Sequence, residues 1–342
     1  MKRIGNLYER IISVENLRLA DEKARKGKLN SYGVRIHDKH REENILALHE
    51  TLKNGTFKNS EYSTFTIYEP KERLIFRLPY YPDRILHHAI MNVLEPIWVS
   101  LFTDDSYSCI KGKGIHGAMR GVKRAMKAKT DTRYCLKLDI RKFYPSIDHD
   151  ILKTIIRRKI KCKETLALLD TIIDSADGVP IGNYLSQYFA NLFLTYFDHW
   201  VKEVKGARHY FRYADDMVFL SDSKEELHGL LADIKVYLST LNLRLKGNEQ
   251  VFPVAENRSD RHGRGLDFVG FVFYRNQTLI RKGIKKNFCR AASRLNKRNP
   301  CLSKKEYRQE ICSWLGWAKY TDSRNLLKKI IKPNYYEACI LR

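Results

Sequence analysis

Residues 211–220, "FRYADDMVFL", set two adjacent carboxylates, Asp215 and Asp216, inside an otherwise apolar run. β-forming residues flank a break at 214–216, so the stretch predicts a hairpin with its tip at Ala214–Asp215–Asp216. Adjacent anions on a half-buried hairpin repel and lose hydration, at a cost of order several kcal/mol unless something neutralises them. A solvated turn would relieve that cost, and so would a pair of Mg²⁺ ions. The rest of the chain has to choose between the two.

The 342 residues suffice for one large domain or two to three subdomains with a sizeable core. With 43% hydrophobic and 30% charged residues, the composition is that of a soluble globular protein. No apolar run reaches the length of about 18 residues that a membrane span needs. The amphipathic start "MKRIGNLYERII" lacks the apolar core and cleavage site of a signal peptide. Seven cysteines (Cys109, Cys135, Cys162, Cys289, Cys301, Cys312 and Cys339) are an odd number without a Cys-x-x-Cys. They predict reduced packing residues in a cytoplasmic protein.

The net charge of +24, from 63 Lys+Arg against 39 Asp+Glu, implies a polyanionic partner, nucleic acid ahead of membrane. Residues 281–342 hold 17 Lys/Arg against 4 Asp/Glu, a net +13. A solvated lysine-rich face would explain the charge alone. The interleaved Phe288, Trp314, Trp317, Tyr320, Tyr335 and Tyr336 point instead to a surface that tracks a nucleic-acid strand.

Periodicity predicts helices over 3–20, 40–53, 224–241, 284–297 and 303–331, the last opened by a Ser303/Glu306 capping box. "FTIYEPKERLIFRLP" alternates on both sides of Pro70 and predicts a hairpin; "DRILHHAIMNVLEPIW" predicts a helix after it. In "RYCLKLDIRKFYPSID" a strand from Tyr134 ends at Asp139, followed by a turn and a helix. "GVPIGNYLSQYFANLFLTYFDHWVKEV" is a Gly/Pro turn opening one long helix, and "DFVGFVFY" reads as a strand. His87, His88 and His116 lie in or beside apolar stretches and read as packing residues, since no soft-ligand cluster accompanies them.

Asp139 thus ends one strand, and Asp215–Asp216 occupy a hairpin tip 76 residues later. Phosphoryl transfer by two metals needs carboxylates that bridge ions about 3.5–4 Å apart, and neighbouring strands can supply them. Hard oxygen ligands suit Mg²⁺, with Mn²⁺ as a substitute.

From about residue 5 to 332 the chain resembles a reverse transcriptase, with that family's blocks in order. They are "LPYYPDRILHHAIMNVLEPIW", "SYSCIKGKGIHGAM", "LKLDIRKFYPSID", "GVPIGNYLSQYFANLFL", "FRYADDMVFL" and the primer-grip strand "LDFVGFVF". At the fourth block, where most members carry Gln-Gly then Ser-Pro, this chain has Ile181-Gly182-Asn183 and Ser186-Gln187. That form, with "KERLIF" and "WLGWAKYTDSRNLLKK", resembles the reverse transcriptases of diversity-generating retroelements. Those enzymes copy a template-repeat RNA into cDNA, misincorporate opposite adenine, and act with a small basic accessory variability protein.

The resemblance implies an α+β right-hand polymerase: N-terminal helices and fingers over 1–132, a palm with an antiparallel sheet over 133–275 (residues 178–208 forming a fingers/palm helix), and a basic helical thumb over 276–342. It implies Asp139, Asp215 and Asp216 as catalytic metal carboxylates and the backbone carbonyl of Ile140 as a further ligand. Tyr144, beside Phe143, matches the steric gate; Lys71 and Arg73 match positions that neutralise the incoming triphosphate, with Arg77 a competitor. Ile181 and Gly182 stand beneath the nucleotide. Ordinary packing for Tyr144 and Ile181, and a solvated hairpin face for the cations, remain open. On the basic thumb, Lys285, Lys286 and Arg290 are expected to hold template RNA and primer or cDNA. Glu249 stands near the usual general-acid Lys, with Lys246 three residues earlier, so no general acid is assigned. No RNase H, maturase or endonuclease module is expected, which with Ile-Gly-Asn disfavours a group II intron enzyme. A bacterial defence reverse transcriptase and a non-catalytic RNA-binding scaffold are the alternatives; the scaffold predicts loss of an acidic ligand, and all three are present.

Overall fold

The alternating residues on either side of Pro70 pair as expected. β1 (Ser63–Ile67) and β2 (Arg73–Arg77) are antiparallel, with Ser63 opposite Arg77 and Ile67 opposite Arg73. Pro70 and Lys71 lie outside the described residues, which are 2–68, 72–297 and 302–339 of this computed structural model. Two compact units are each assembled from separate chain segments. The first takes 1–110, 140–206 and 234–246; the second takes 111–139, 207–233 and 247–342.

In the first unit the helix Ile85–Val99 is apolar almost all round and forms the centre, packed by Val14–Ala24. The expected single helix over 3–20 is two, Tyr8–Ile12 and Val14–Ala24. Ser13 separates them: its backbone is extended (ψ 142°) and its hydroxyl accepts from Asn16 N at 3.2 Å, an N-cap in mid-segment. The expected long helix after the Gly/Pro turn is likewise interrupted at Leu194, giving Ser186–Phe193 and Thr195–His199 with a wider turn at Trp200–Val204.

The second unit holds β3 (Tyr134–Asp139), β4 (His209–Tyr213), β5 (Asp216–Ser221) and β6 (Gln250–Pro253), with spatial order β4-β5-β3-β6. Its pairings are antiparallel, and β3 ends at Asp139 as the alternation predicts. A second sheet contains β7 (Leu266–Phe268), β8 (Phe271–Phe273) and β9 (Thr278–Ile280). The stretch expected to be one strand is therefore a hairpin. Val269 and Gly270 both take positive φ (45° and 88°), as a two-residue turn of the I′ kind requires. At Gly270 a Cβ would also lie 2.6 Å from the Trp317 ring. The α+β class with antiparallel sheets is thus as expected.

The basic C-terminal segment forms Lys282–Asn296, Lys304–Ala318, Arg324–Ile330 and Pro333–Cys339. The Ser303/Glu306 capping box is present, but the expected helix over 303–331 breaks after Ala318. The aromatic rings qualify one expectation. Phe288 and Tyr335 are buried in this segment's core; Trp314 stacks on Phe288 at 5.9 Å, and Tyr335 on Tyr307 at 4.2 Å. Trp314, Trp317 and Tyr336 are half-buried against that core, because these short helices need rings to fill it, whereas Tyr320 lies outside it against His116 at 4.3 Å. The described cysteines are free thiols; Cys301 lies outside the described residues. Among the described residues no helix is long and apolar enough to cross a membrane.

A buried acid binds the N-terminal helices together. Asp21, fully buried, accepts from Tyr80 Oη at 2.5 Å, Arg25 Nη2 at 2.7 Å and Arg41 Nε at 2.7 Å. Burial pushes its carboxyl up, but these three hydrogen bonds outweigh burial and hold it below the ordinary range. Asp21→Asn keeps the shape and leaves two arginines facing a neutral group. Its expected cost is about 3 kcal/mol, the low end for breaking a buried pair because Arg41 is partly exposed. A lower urea midpoint would show it. Since the folded carboxyl is depressed, its contribution is full above the unfolded value of about 3.9 and fades as pH falls through the folded value; the gap between wild type and variant should close in acid.

Candidate active site

The pairing of β3 with β5 sets Asp139 opposite Asp216, and that of β4 with β5 sets Tyr213 opposite Asp216. Asp216 is thus the first residue of β5 rather than part of the tip, and Ala214–Asp215 alone form the connection. Ala214 has φ 54°, a left-handed conformation for which a side chain is unfavourable. Arg212, fully buried, donates from Nη1 to the Ala214 carbonyl at 3.2 Å and braces the turn from beneath. Sequence reasoning missed Arg212. Its signal was a cation inside an otherwise apolar strand.

Asp216 Oδ1 is buried and has no hydrogen-bond partner. Burial raises the Asp216 carboxyl to about 7, and the charges of Asp139 and Asp215 push the same way; Lys137 and Arg281 pull it down without offsetting them. The Lys137 ammonium stands 3.7 Å from Oδ1. In the ion-free fold the raised value means the folded form holds a proton more tightly than the unfolded one. Stability therefore declines as pH rises from the ordinary carboxylate range through about 7. A bound cation would remove that penalty. Acceptor-only carboxylates with an unsatisfied buried oxygen match the donor chemistry of Mg²⁺. Among the described residues no three His, Cys, Asp or Glu side chains already stand in a metal-holding arrangement, so the match is one of donor type and placement at one sheet end.

In the first unit, three segments are drawn together by close backbone contacts. Phe76 N in β2 donates to Ile181 O at 2.8 Å, and Val179 N donates to Tyr144 O at 2.9 Å. Gly182 has φ +117°, and a Cβ there would collide with Phe76 O. Ile181, Gly182, Tyr144 and the buried Phe143 therefore belong to one cluster; the Phe143 and Tyr144 rings meet edge-on at 5.6 Å. Ile140 is buried and bridges to Leu245. Arg73 opens β2 and is exposed, three residues before Phe76. Lys71 lies outside the described residues.

A cavity of about 180 Å³ lies beside this cluster, lined by Ile75, Arg77, Arg84, His87, Gly182 and Tyr184 among others. Arg84 Nε and His87 Nε2 are buried there without hydrogen-bond partners. Burial takes His87 down to about 3, so it is neutral at physiological pH, and His88 stacks on Tyr184 at 4.0 Å. These are the packing roles expected of both. On the helix Lys282–Asn296, Lys285, Lys286 and Arg290 are exposed while Phe288 is buried, leaving a cationic outer face.

Comparison with known proteins places these observations. Residues 66–259, more than half of the chain, match the family described as reverse transcriptase (RNA-dependent DNA polymerase). Protein YkfC of Escherichia coli (strain K12) is 28% identical over 153 residues, 40% of this chain and 40% of that protein. The group II intron-encoded protein LtrA of Lactococcus lactis subsp. cremoris is 25% identical over 177 residues, 48% of this chain and 29% of that protein. The chain thus spans less than half the length of each of these relatives. A telomerase from Candida tropicalis, solved with a fragment of telomeric RNA, superposes with a TM-score of 0.49 at 14% identity, covering 85% of this chain and 59% of that one. The family match runs unbroken across Asp139, the Ile181–Gly182 loop and Asp215–Asp216, and the chain belongs to the reverse transcriptase family.

Proposed function

We propose that this chain copies RNA into DNA by two-metal nucleotidyl transfer, as the reverse transcriptase of a diversity-generating retroelement. The observation that carries the polymerase reading is the sheet end where Asp139 faces Asp216, with Asp215 in the adjoining turn and Asp216 Oδ1 buried and unsatisfied. Asp139, Asp215, Asp216 and the Ile140 carbonyl would hold Mg²⁺ in this reading. Bound ions would activate the primer 3′-hydroxyl and neutralise charge on the triphosphate. Arg73 and Lys71 hold the triphosphate, Tyr144 bars a 2′-hydroxyl, and Lys285, Lys286 and Arg290 hold the strand backbone. In this reading the fingers take 1–132, the palm 133–275 and the thumb 276–342, and template RNA, primer or cDNA, and an accessory variability protein are the partners.

The finer reading is supported by the Ile181–Gly182–Asn183 form of the loop. Ile181 is held by its backbone to Phe76, and its apolar side chain offers the nucleotide shape without a hydrogen bond. Pairing is then enforced mainly by the base pair itself, so template bases that pair through two hydrogen bonds, adenine and uracil, reject errors least; the restriction to adenine rests on the resemblance to diversity-generating retroelement enzymes. A second reading, an enzyme of intron mobility, has the matched intron-encoded relative in its favour.

Three outcomes are expected. Asp215→Asn should reduce primer extension in Mg²⁺ by about a hundredfold or more, since metal stabilisation is worth several kcal/mol and about 1.4 kcal/mol is tenfold. Circular dichroism should show the fold intact; near-normal extension would end the two-metal assignment.

Binding to a primer–template should weaken steeply with salt. Reversing Lys285, Lys286 and Arg290 to Glu should flatten the log–log slope by roughly 0.7–0.9 for each phosphate the helix no longer neutralises, without sequence preference. An unchanged slope would leave the cationic face a solubility feature.

Sequencing cDNA from one defined RNA template should show errors concentrated opposite adenine. Ile181→Asn should reduce them there more than elsewhere, and Arg73→Ala should alter them at a cost in efficiency. A wild-type spectrum no richer in errors at adenine than at cytosine would favour the intron reading.

A further inference from the structure

Lys137 lies two residues before Asp139 in β3, and the period of a strand puts the two on one face. Asp216 is opposite Asp139 on β5, so Lys137 is its diagonal neighbour, within reach of a long side chain. The ammonium does reach: it stands 3.7 Å from Asp216 Oδ1, too far for a hydrogen bond but close enough for strong attraction.

Something else holds Lys137 at that distance. Its ammonium donates to the backbone carbonyl of Asp267 in β7. The Asp267 carboxylate is itself engaged by Arg281, whose Nε donates to Oδ1 at 2.6 Å. Lys137 is therefore tethered by an uncharged acceptor, and its own charge is answered by Asp216. Asp216 Oδ1 keeps lone pairs that no hydrogen bond fills. The arrangement places a positive charge beside the acid without closing the acid's coordination.

We propose that Lys137 is an internal counter-ion for Asp216: it neutralises the acidic sheet end while no cation is bound, and it lowers the affinity of that end for divalent cations. It is a positioning residue for the site. The inference rests on the proposed placement of cations at Asp139, Asp215 and Asp216. The tether makes the role specific to this side chain, because the Asp267 carbonyl sets how near the ammonium approaches. Weakened cation affinity would let ions exchange at this end as nucleotide enters and product leaves.

The test is Mn²⁺ binding, measured by electron paramagnetic resonance of the full chain without nucleotide, at constant pH and ionic strength. Lys137→Gln keeps a donor for the Asp267 carbonyl and removes the charge; Lys137→Met removes both; Lys137→Arg keeps the charge. A neighbouring charge at this distance shifts the occupancy of a carboxylate by about one to three decades. Lys137→Gln and Lys137→Met should therefore bind Mn²⁺ at least about tenfold more tightly, and Lys137→Arg should resemble wild type. In EDTA the two neutral variants should melt below wild type, and saturating Mn²⁺ should narrow the difference. Unchanged or weaker Mn²⁺ binding by both neutral variants would overturn the role of Lys137 and leave the polymerase reading standing. Wild type without Mn²⁺ binding that Asp215→Asn abolishes would overturn both.

Discussion

Three carboxylates share one end of a four-stranded sheet because β3 and β5 pair in the register that sets Asp139 opposite Asp216. Like charges so placed repel, and the sheet end persists because the rows behind it are committed to the core. Leu136 and Leu138 on β3, and their cross-strand partners Phe219 and Met217 on β5, are buried. A slip of one residue would turn each of these to the other face, which costs far more than the repulsion. The turn at Ala214 adds strain of order 1–3 kcal/mol, and the buried Arg212 guanidinium offsets part of it through the Ala214 carbonyl. An apolar register thus holds a polar arrangement that is unfavourable by itself.

That unfavourable arrangement has a chemical use. A group that water already satisfies has little to offer a metal. Asp216 is half-buried, and its Oδ1 is sealed from solvent yet short of a hydrogen bond. Lys137 relieves the charge from a fixed distance and leaves the coordination open. In the proposed reading the sheet end is therefore tolerable without an ion and open to one.

The first unit solves a different problem, that of bringing backbone close to backbone. Gly182 and Gly178, both with positive φ, lie against Phe76 O and the Pro145 backbone, where any Cβ would collide. These approaches join β2, the loop 178–183 and the turn carrying Phe143 and Tyr144 by direct backbone hydrogen bonds. Ile181 takes part through its carbonyl, so its side chain is free to vary in chemistry without loosening the loop. That separation of roles is what makes Ile181→Asn an informative substitution.

Local patterns were legible in the sequence by itself. Alternation ended β3 at Asp139, two alternating stretches gave the hairpin of β1 and β2, and Ser303 with Glu306 announced a capped helix. The ordered blocks carried the family, because each is a short stretch whose chemistry is read in place. Other features depended on partners far along the chain. Ser13 divides a helix whose periodicity runs straight through it, and Val269–Gly270 fold one apparent strand into two against Trp317. Of the aromatic residues of the basic segment that looked like a stacking surface, Phe288 and Tyr335 became its core, since composition does not say which face of a helix meets another. Asp21, Lys137 and Arg212 were silent for the same reason. A charge declares its role only when folding brings up the groups that answer it, and those groups lie on other strands and helices.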